Sequence, residues 1–203
     1  MQYVAASHAS LFAGGQTFAE MLEETARQTA GPFYPDRLPL DRDNDLIVVN
    51  DSVTPAVGRV THVSGRILTT SGEPIRHAEV EIWQVDADGR YLHTDDQRTR
   101  DRDANFQGYG RFETASDGGY RFRTIRPVAY GFRTPHIHFG VGVKGRSWFT
   151  TQMYVAGEPK NRTDSVLNGI RDARARERLI VPLQAKPEAE PDALEGRFDI
   201  VLG

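Results

Sequence analysis

From Leu46 onward the chain consists of short runs in which apolar and polar residues alternate, and glycine, proline, aspartate or asparagine ends each run. The runs are "LIVVND", "GRVTHVSGRILTT", "HAEVEIWQVDA", "GGYRFRTI", "HIHFGVGV", "SWFTTQMYV" and "GRFDIVL". A period of two is the spacing of strands, and "TTSGEPI", "DADGRY" and "ASDGGY" are turn-forming between them. Many short strands and little helix predict a mainly β fold, an antiparallel β-sandwich core with a few short helices and long loops.

Two segments carry a helical pattern. "TFAEMLEETARQ" spaces Phe18, Met21, Leu22 and Ala26 for one helix face, and places a partly helical N-terminal extension over residues 1–27. "TDSVLNGIRDARARERLI" predicts a late helix with Thr163 or Asp164 as its N-cap. "QTAGPFYPDRLPLDRDND" reads as an extended loop, and "QAKPEAEPDALEG" as a polar loop before the last strand. Neither a repeat nor a linker interrupts the rest, so residues 28–203 are expected to form a single domain.

Composition removes several chemistries. Cysteine is absent, so disulfides, thiolate metal sites and cysteine nucleophiles are excluded, and any metal must be held by nitrogen and oxygen. A net charge of −3 gives no reason to expect nucleic acid as a partner. No apolar run reaches membrane-spanning length, and a membrane is not an expected partner. The first basic residue is Arg27, which leaves no positive n-region, and the expected location is the cytoplasm.

Side chains alternate across a strand. In "HIHFGVGV" Ile137, Phe139, Val141 and Val143 share one face, which must be core. His136, His138, Gly140 and Gly142 share the other, so both imidazoles point the same way into space that two glycines leave open. Two readings stand: a pair of solvated histidines on a half-exposed strand, or part of a metal site that needs one or two more groups. Tyr130, in the loop "TIRPVAYGFR", and Tyr91, in the turn "DADGRYLHTD", belong to no apolar alternation. Each is open to a packing role or a ligand role.

The ordered set "EIWQVDADGRYLHTD", "GRFETASDGGYRFRTIRPVAY", "RTPHIHFGV" and "TTQMYVAGEP" resembles the intradiol ring-cleaving dioxygenases, nearest the small single-chain relatives of the protocatechuate 3,4-dioxygenase type. "QTAGPFYP" and "GRFDIVLG" extend the likeness over about residues 28–203. The resemblance implies a mononuclear non-haem Fe(III) held by Tyr91, Tyr130, His136 and His138. It implies cleavage of a catechol, protocatechuate or hydroxyquinol type ring between its two hydroxylated carbons with O2, to a cis,cis-muconate-type diacid. It also implies a homo-oligomer. Two features depart from the relatives. Tyr130 and His136 are closely spaced, and the long helical N-terminal domain of the catechol 1,2-dioxygenase branch is not expected.

Phenolate and imidazole suit Fe(III) better than a thiophilic metal. Fe(III) with two tyrosinates and one hydroxide carries no net charge, and neither does Fe(III) with a catecholate dianion and one tyrosinate. A diol can therefore bind without charging a low-dielectric site if its two protons go to the hydroxide and to one tyrosinate, and both depart. The resemblance gives that role to Tyr130. It places Arg133 and Gln152 beside the substrate, Arg133 as the stabiliser of anionic oxygen. Trp83 reads as core, His62 and His77 as structural, and His93 as either surface or support. A carboxylated ring requires a further cation, for which Arg126, Lys144 and Arg146 are candidates. Two other classes compete: a non-enzymatic β-sandwich binding module, and a zinc hydrolase using His136 and His138 with Asp86 or Asp95.

Overall fold

The computed structural model describes residues 21–96 and 101–203. Two sheets carry the fold. In the first, β1 (Val60–Thr69) is central: β4 (Gly119–Ile125) pairs with it on one side, and β9 (Leu194–Arg197) and β10 (Ile200–Leu202) pair with successive stretches of it on the other. The short β8 (Gln184–Ala185) adds to β9. The second sheet runs β3 (Tyr109–Glu113), β2 (Glu79–Trp83), β5 (His136–Gly142), β6 (Phe149–Val155) and β7 (Ile180–Val181). The sandwich is as expected, although β1–β9, β1–β10 and β6–β7 pair in parallel.

The inward faces follow from the alternation. Val63, Ile67 and Phe122 of the first sheet meet Val80, Ile82, Ile137, Phe139, Val141 and Met153 of the second. Phe139 packs edge-on to Phe198 with centroids 5.1 Å apart. Each fully buried side chain of this size contributes about 1.5–3 kcal/mol. This burial fixes the register of β5: a slip by one residue would drive both imidazoles into the core.

The expected N-terminal helix is not formed over its described part. Residues 21–28 form no helix; the rest of it lies outside the described residues. Thr25 N donates to Val201 O at 3.0 Å and Gln28 N to Thr150 O at 2.8 Å, while Thr151 Oγ1 donates to Ala26 O at 2.8 Å. The segment is thus a strap from β10 to β6. It covers backbone groups of β6 that β7 is too short to reach, a gain that outweighs helical spacing. The late helix is also corrected. It divides into α1 (Ser165–Asn168) and α2 (Ala173–Glu177). Gly169 ends the first, and Asp172 caps the second by accepting from Arg174 N and Ala175 N. Among the described residues no helix is long and apolar enough to cross a membrane.

Candidate metal centre

The register of the second sheet builds the floor of the site. Trp83 stands opposite His138, His138 opposite Gln152, and His136 opposite Tyr154. Opposed residues share a face, so these side chains form two rows on the outer side of the sheet. Loops roof that face, and His136 and His138 are only 1% and 3% exposed. They are not solvated strand histidines. Nor is the space beside the glycines open. Trp148 fills it, and a Cβ on Gly140 or Gly142 would come within 2.5 or 2.6 Å of its indole.

Tyr91 arrives from the turn after β2. Asp86 makes that turn: its Oδ1 accepts from Asp88 N at 3.0 Å and Arg90 N at 2.8 Å, and its Oδ2 from Asp103 N at 2.8 Å. Gly89 supplies the left-handed residue the turn needs, at φ 83°. Tyr91 N then donates to Asp96 Oδ2 at 2.7 Å. Tyr130 opens a tight turn closed by Arg133 N donating to Tyr130 O at 2.8 Å. Its two central residues are Gly131, at φ 49°, and the exposed Phe132. This is the physical form of the close Tyr130–His136 spacing.

The four side chains converge. Tyr91 Oη lies 2.9 Å from His138 Nε2, 3.3 Å from His136 Nε2 and 3.0 Å from Tyr130 Oη. The two Nε2 atoms are 3.2 Å apart. His136 Nδ1 donates to Thr134 O at 2.6 Å, which leaves the Nε2 lone pair facing the cluster. Burial first, then the charge of Arg133, pushes the His136 imidazole down to about 4. Burial, then His136 and Arg133, holds His138 well below the ordinary range. Both rings are therefore neutral, the form that binds metal. Trp83 is buried as expected, and its indole stacks on His138 with centroids 4.9 Å apart and planes 10° apart.

The donor set fits a metal ion. A cation placed among two phenolic oxygens and two imidazole nitrogens crowded this closely can accept from all four at once. Ligands about 2.0–2.1 Å from an ion are separated by roughly 2.8–3.5 Å, the spacing found here. Oxygen and nitrogen donors without sulfur match a hard or borderline ion such as Fe(III). The zinc alternative lacks its carboxylate. Asp86 is occupied by backbone amides, Asp95 is exposed, and no cluster of three His, Asp or Glu residues suited to a metal exists among the described residues.

Arg133 and Gln152 sit beside this cluster in a buried polar network. Arg133 Nε donates to Asp164 Oδ2 at 2.9 Å and Nη2 to Gln152 Oε1 at 2.6 Å. Gln152 Oε1 also accepts from Tyr154 Oη at 3.0 Å, and Gln152 Nε2 donates to Thr29 O at 3.1 Å. Gln28 Nε2 donates to Tyr154 Oη at 2.9 Å. The strap and α1 thus both reach the site, through Gln28, Thr29 and Asp164. The capping pattern marked Asp164, but nothing local marked its bond to Arg133. Behind Trp83, Tyr34 Oη donates to Glu81 Oε2 at 2.9 Å. Burial and then this bond push the Tyr34 phenol up to about 12.

The other candidates stand apart. Arg126 is ion-paired with Glu158, Lys144 is exposed beyond the far end of β5, and Arg146 donates to Gly203 O at 3.0 Å. His62 and His77 face Glu190 and Glu113 at 3.2 and 2.8 Å. His93 contacts Phe33, whose ring stacks on Tyr91 at 5.3 Å.

The family model described as Dioxygenase matches residues 29–203, which takes in both sheets and all four converging side chains. Within that class the chain belongs to the intradiol ring-cleaving dioxygenases. It is 39% identical over 191 residues to the protocatechuate 3,4-dioxygenase beta chain of Burkholderia cepacia, covering 89% of this chain and 80% of that one. The catechol 1,2-dioxygenase of Acinetobacter baylyi is 30% identical over 84% of this chain and 56% of its own length. The solved catechol 1,2-dioxygenase from Acinetobacter sp. ADP1, inhibited by bound mercury, superposes with a TM-score of 0.68 at 28% identity, covering 88% of this chain and 62% of that one. The chain therefore spans less than two thirds of the catechol relatives it matches.

Proposed function

We propose that the chain binds one Fe(III) ion through Tyr91, Tyr130, His136 and His138 and opens a catechol-type ring. The two hydroxylated carbons of the diol are parted with one molecule of O2, giving a cis,cis-muconate-type diacid. The observation that carries this reading is the approach of four oxygen and nitrogen donors to 2.9–3.3 Å. When bound, Fe(III) supplies a Lewis acid for the diol oxygens and draws electron density from the ring. Relatives named for protocatechuate, hydroxyquinol and catechol support a vicinal aromatic diol as the substrate class.

The protein residues divide the remaining work. Tyr91 is 2% exposed, whereas Tyr130 is half-buried, so an entering diol meets Tyr130 first. Its phenolate oxygen takes one diol proton. Arg133, three residues on, places a guanidinium N–H where anionic oxygen develops on the ring. Gln152, opposite His138 and bonded to Arg133, holds the inner edge of the pocket. Roofing loops keep bulk water from the reacting ring.

Oxygen uptake with catechol, protocatechuate, hydroxyquinol and substituted catechols tests the reaction and selects the ring. Visible spectra test the ligands. Tyrosinate–Fe(III) charge transfer gives a red-brown protein whose absorption shifts on adding a catechol. A colourless protein with one equivalent of iron removes the tyrosines from the site.

A further inference from the structure

Asp164 is fully buried, 31 positions beyond Arg133, and every lone-pair direction of its carboxylate is occupied. Oδ1 accepts from Val166 N and Leu167 N, each at 3.0 Å, which starts α1. Oδ2 accepts from Arg133 Nε and Thr134 N, each at 2.9 Å. A cap alone uses one oxygen and costs nothing when a serine supplies it. A buried charge is costly to keep unless it is paired, so the second oxygen needs its own explanation. Its two donors are the guanidinium of Arg133 and the next backbone amide, a short step before His136.

We infer that Asp164 is the positioning residue for Arg133, fixing the guanidinium so that Nη1 is presented to the anionic oxygen of the substrate. Nε is held by Asp164 and Nη2 by Gln152, on two edges of a planar group. Nη1 takes part in neither of these two bonds. The pairing also shapes what Arg133 offers. Its charge is balanced by Asp164, so the substrate meets a directed N–H donor rather than a free cation, and directed donors in a dry site stabilise developing charge most effectively. The electrostatics agree. Burial opposes ionisation of Asp164, yet the bonds from Leu167, Thr134 and Arg133 hold its carboxyl below the ordinary range. This inference rests on the ring-cleaving reading for its consequence, though not for its geometry.

The test uses the full iron-loaded chain and Asp164→Asn, which keeps the volume and a good cap. Three results are expected. Iron content and visible absorption match the parent. Turnover of catechol falls about 10- to 100-fold, as for a misplaced catalytic group, with KM little changed. In an Arg133→Gln background the same change costs nothing further, because both act through one guanidinium. An unchanged kcat, or a loss that adds fully to that of Arg133→Gln, overturns the proposal. If the variant does not fold, Asp164→Ser retains the cap and replaces it. A second readout needs no turnover. With diamagnetic Ga(III) loaded in place of iron, the Arg133 Nε–H NMR signal should resist exchange in the parent and lose protection in the variant, while the amides of Val166 and Leu167 stay protected. A parent that neither turns over diols nor is coloured counts against the ring-cleaving reading, and the Nε–H signal then decides alone whether Asp164 holds Arg133.

Discussion

The phenolic oxygen of Tyr91 lies 2.9 Å from Nε2 of His138, although 47 positions separate them and neither belongs to the other's element. One hangs from a turn, the other stands on a strand. The core-set register of β5 and the carboxylate of Asp86 bring them together.

That dependence makes Asp86→Ala informative. Three backbone amides lose their acceptor, and Tyr91 loses the turn that aims it. Iron affinity should fall about 10- to 100-fold, the usual effect of removing a group that orients a metal ligand. A competition titration with a chelator measures it. Unaltered affinity would mean that the bond to Asp96 and the ring contacts hold Tyr91 without the Asp86 turn.

On the proposed reading, Tyr130→Phe removes a proton acceptor but leaves Tyr91, His136 and His138. The protein should retain iron, with weaker visible absorption, while kcat falls about 10²- to 10⁴-fold, the range of a lost general base. Metal analysis beside oxygen uptake checks both halves. Parent-like turnover would take Tyr130 out of the reaction.

Gly65→Ala tests the frame instead of the site. A Cβ there would sit 1.9 Å from the carbonyl oxygen of Phe198, a backbone atom with nowhere to move. The same oxygen accepts from Tyr120 Oη. A loss of about 3 kcal/mol is expected, at the upper end for overpacking. Urea denaturation reads it, and a loss near zero would mean that the strand shifts freely.

Glu81 gives a pH dependence with a defined sign. Burial raises its carboxyl above the ordinary range, although bonds from Tyr109 and Tyr34 pull the other way. The folded chain thus keeps a proton that the unfolded chain has already released. Stability must fall as pH rises from about 4 through the raised folded value, and the cost is complete above it. In Glu81→Gln this contribution is gone, so the variant should gain on the parent as pH rises through that window. Urea midpoints measured at stepped pH follow the difference; a difference that does not move in the variant's favour as pH rises assigns the titration to another group.

Most of the sandwich was legible because alternation is a local signal. The inward face of β5 and the shared side of His136 and His138 follow from period two alone. Where the structure departs from the sequence reading, long-range pairing is the cause. Residues 21–28 carry a helical pattern, but Thr25 and Gln28 give their amides to β10 and β6. Asp164 was readable as a cap from its place before "SVLN", whereas its bond to Arg133 crosses 31 positions. Trp83 was readable as buried, while its stacking on His138 depends on which residues β2 and β5 place opposite each other. Tyr91 and Tyr130 had no pattern of their own and came forward only through the family likeness.

The donor set is divided between two kinds of support. His136 and His138 rise from a strand whose other face is core, so few substitutions near them are tolerated. Tyr91 and Tyr130 sit on loops, and between Tyr130 and Arg133 there are only Gly131 and the exposed Phe132. The turn after Tyr130 is therefore a place where variation costs little. A lineage that lengthens or retips that turn changes what can enter while the histidine half stays as built. In the laboratory the same turn is the natural position at which to broaden or narrow the range of rings accepted.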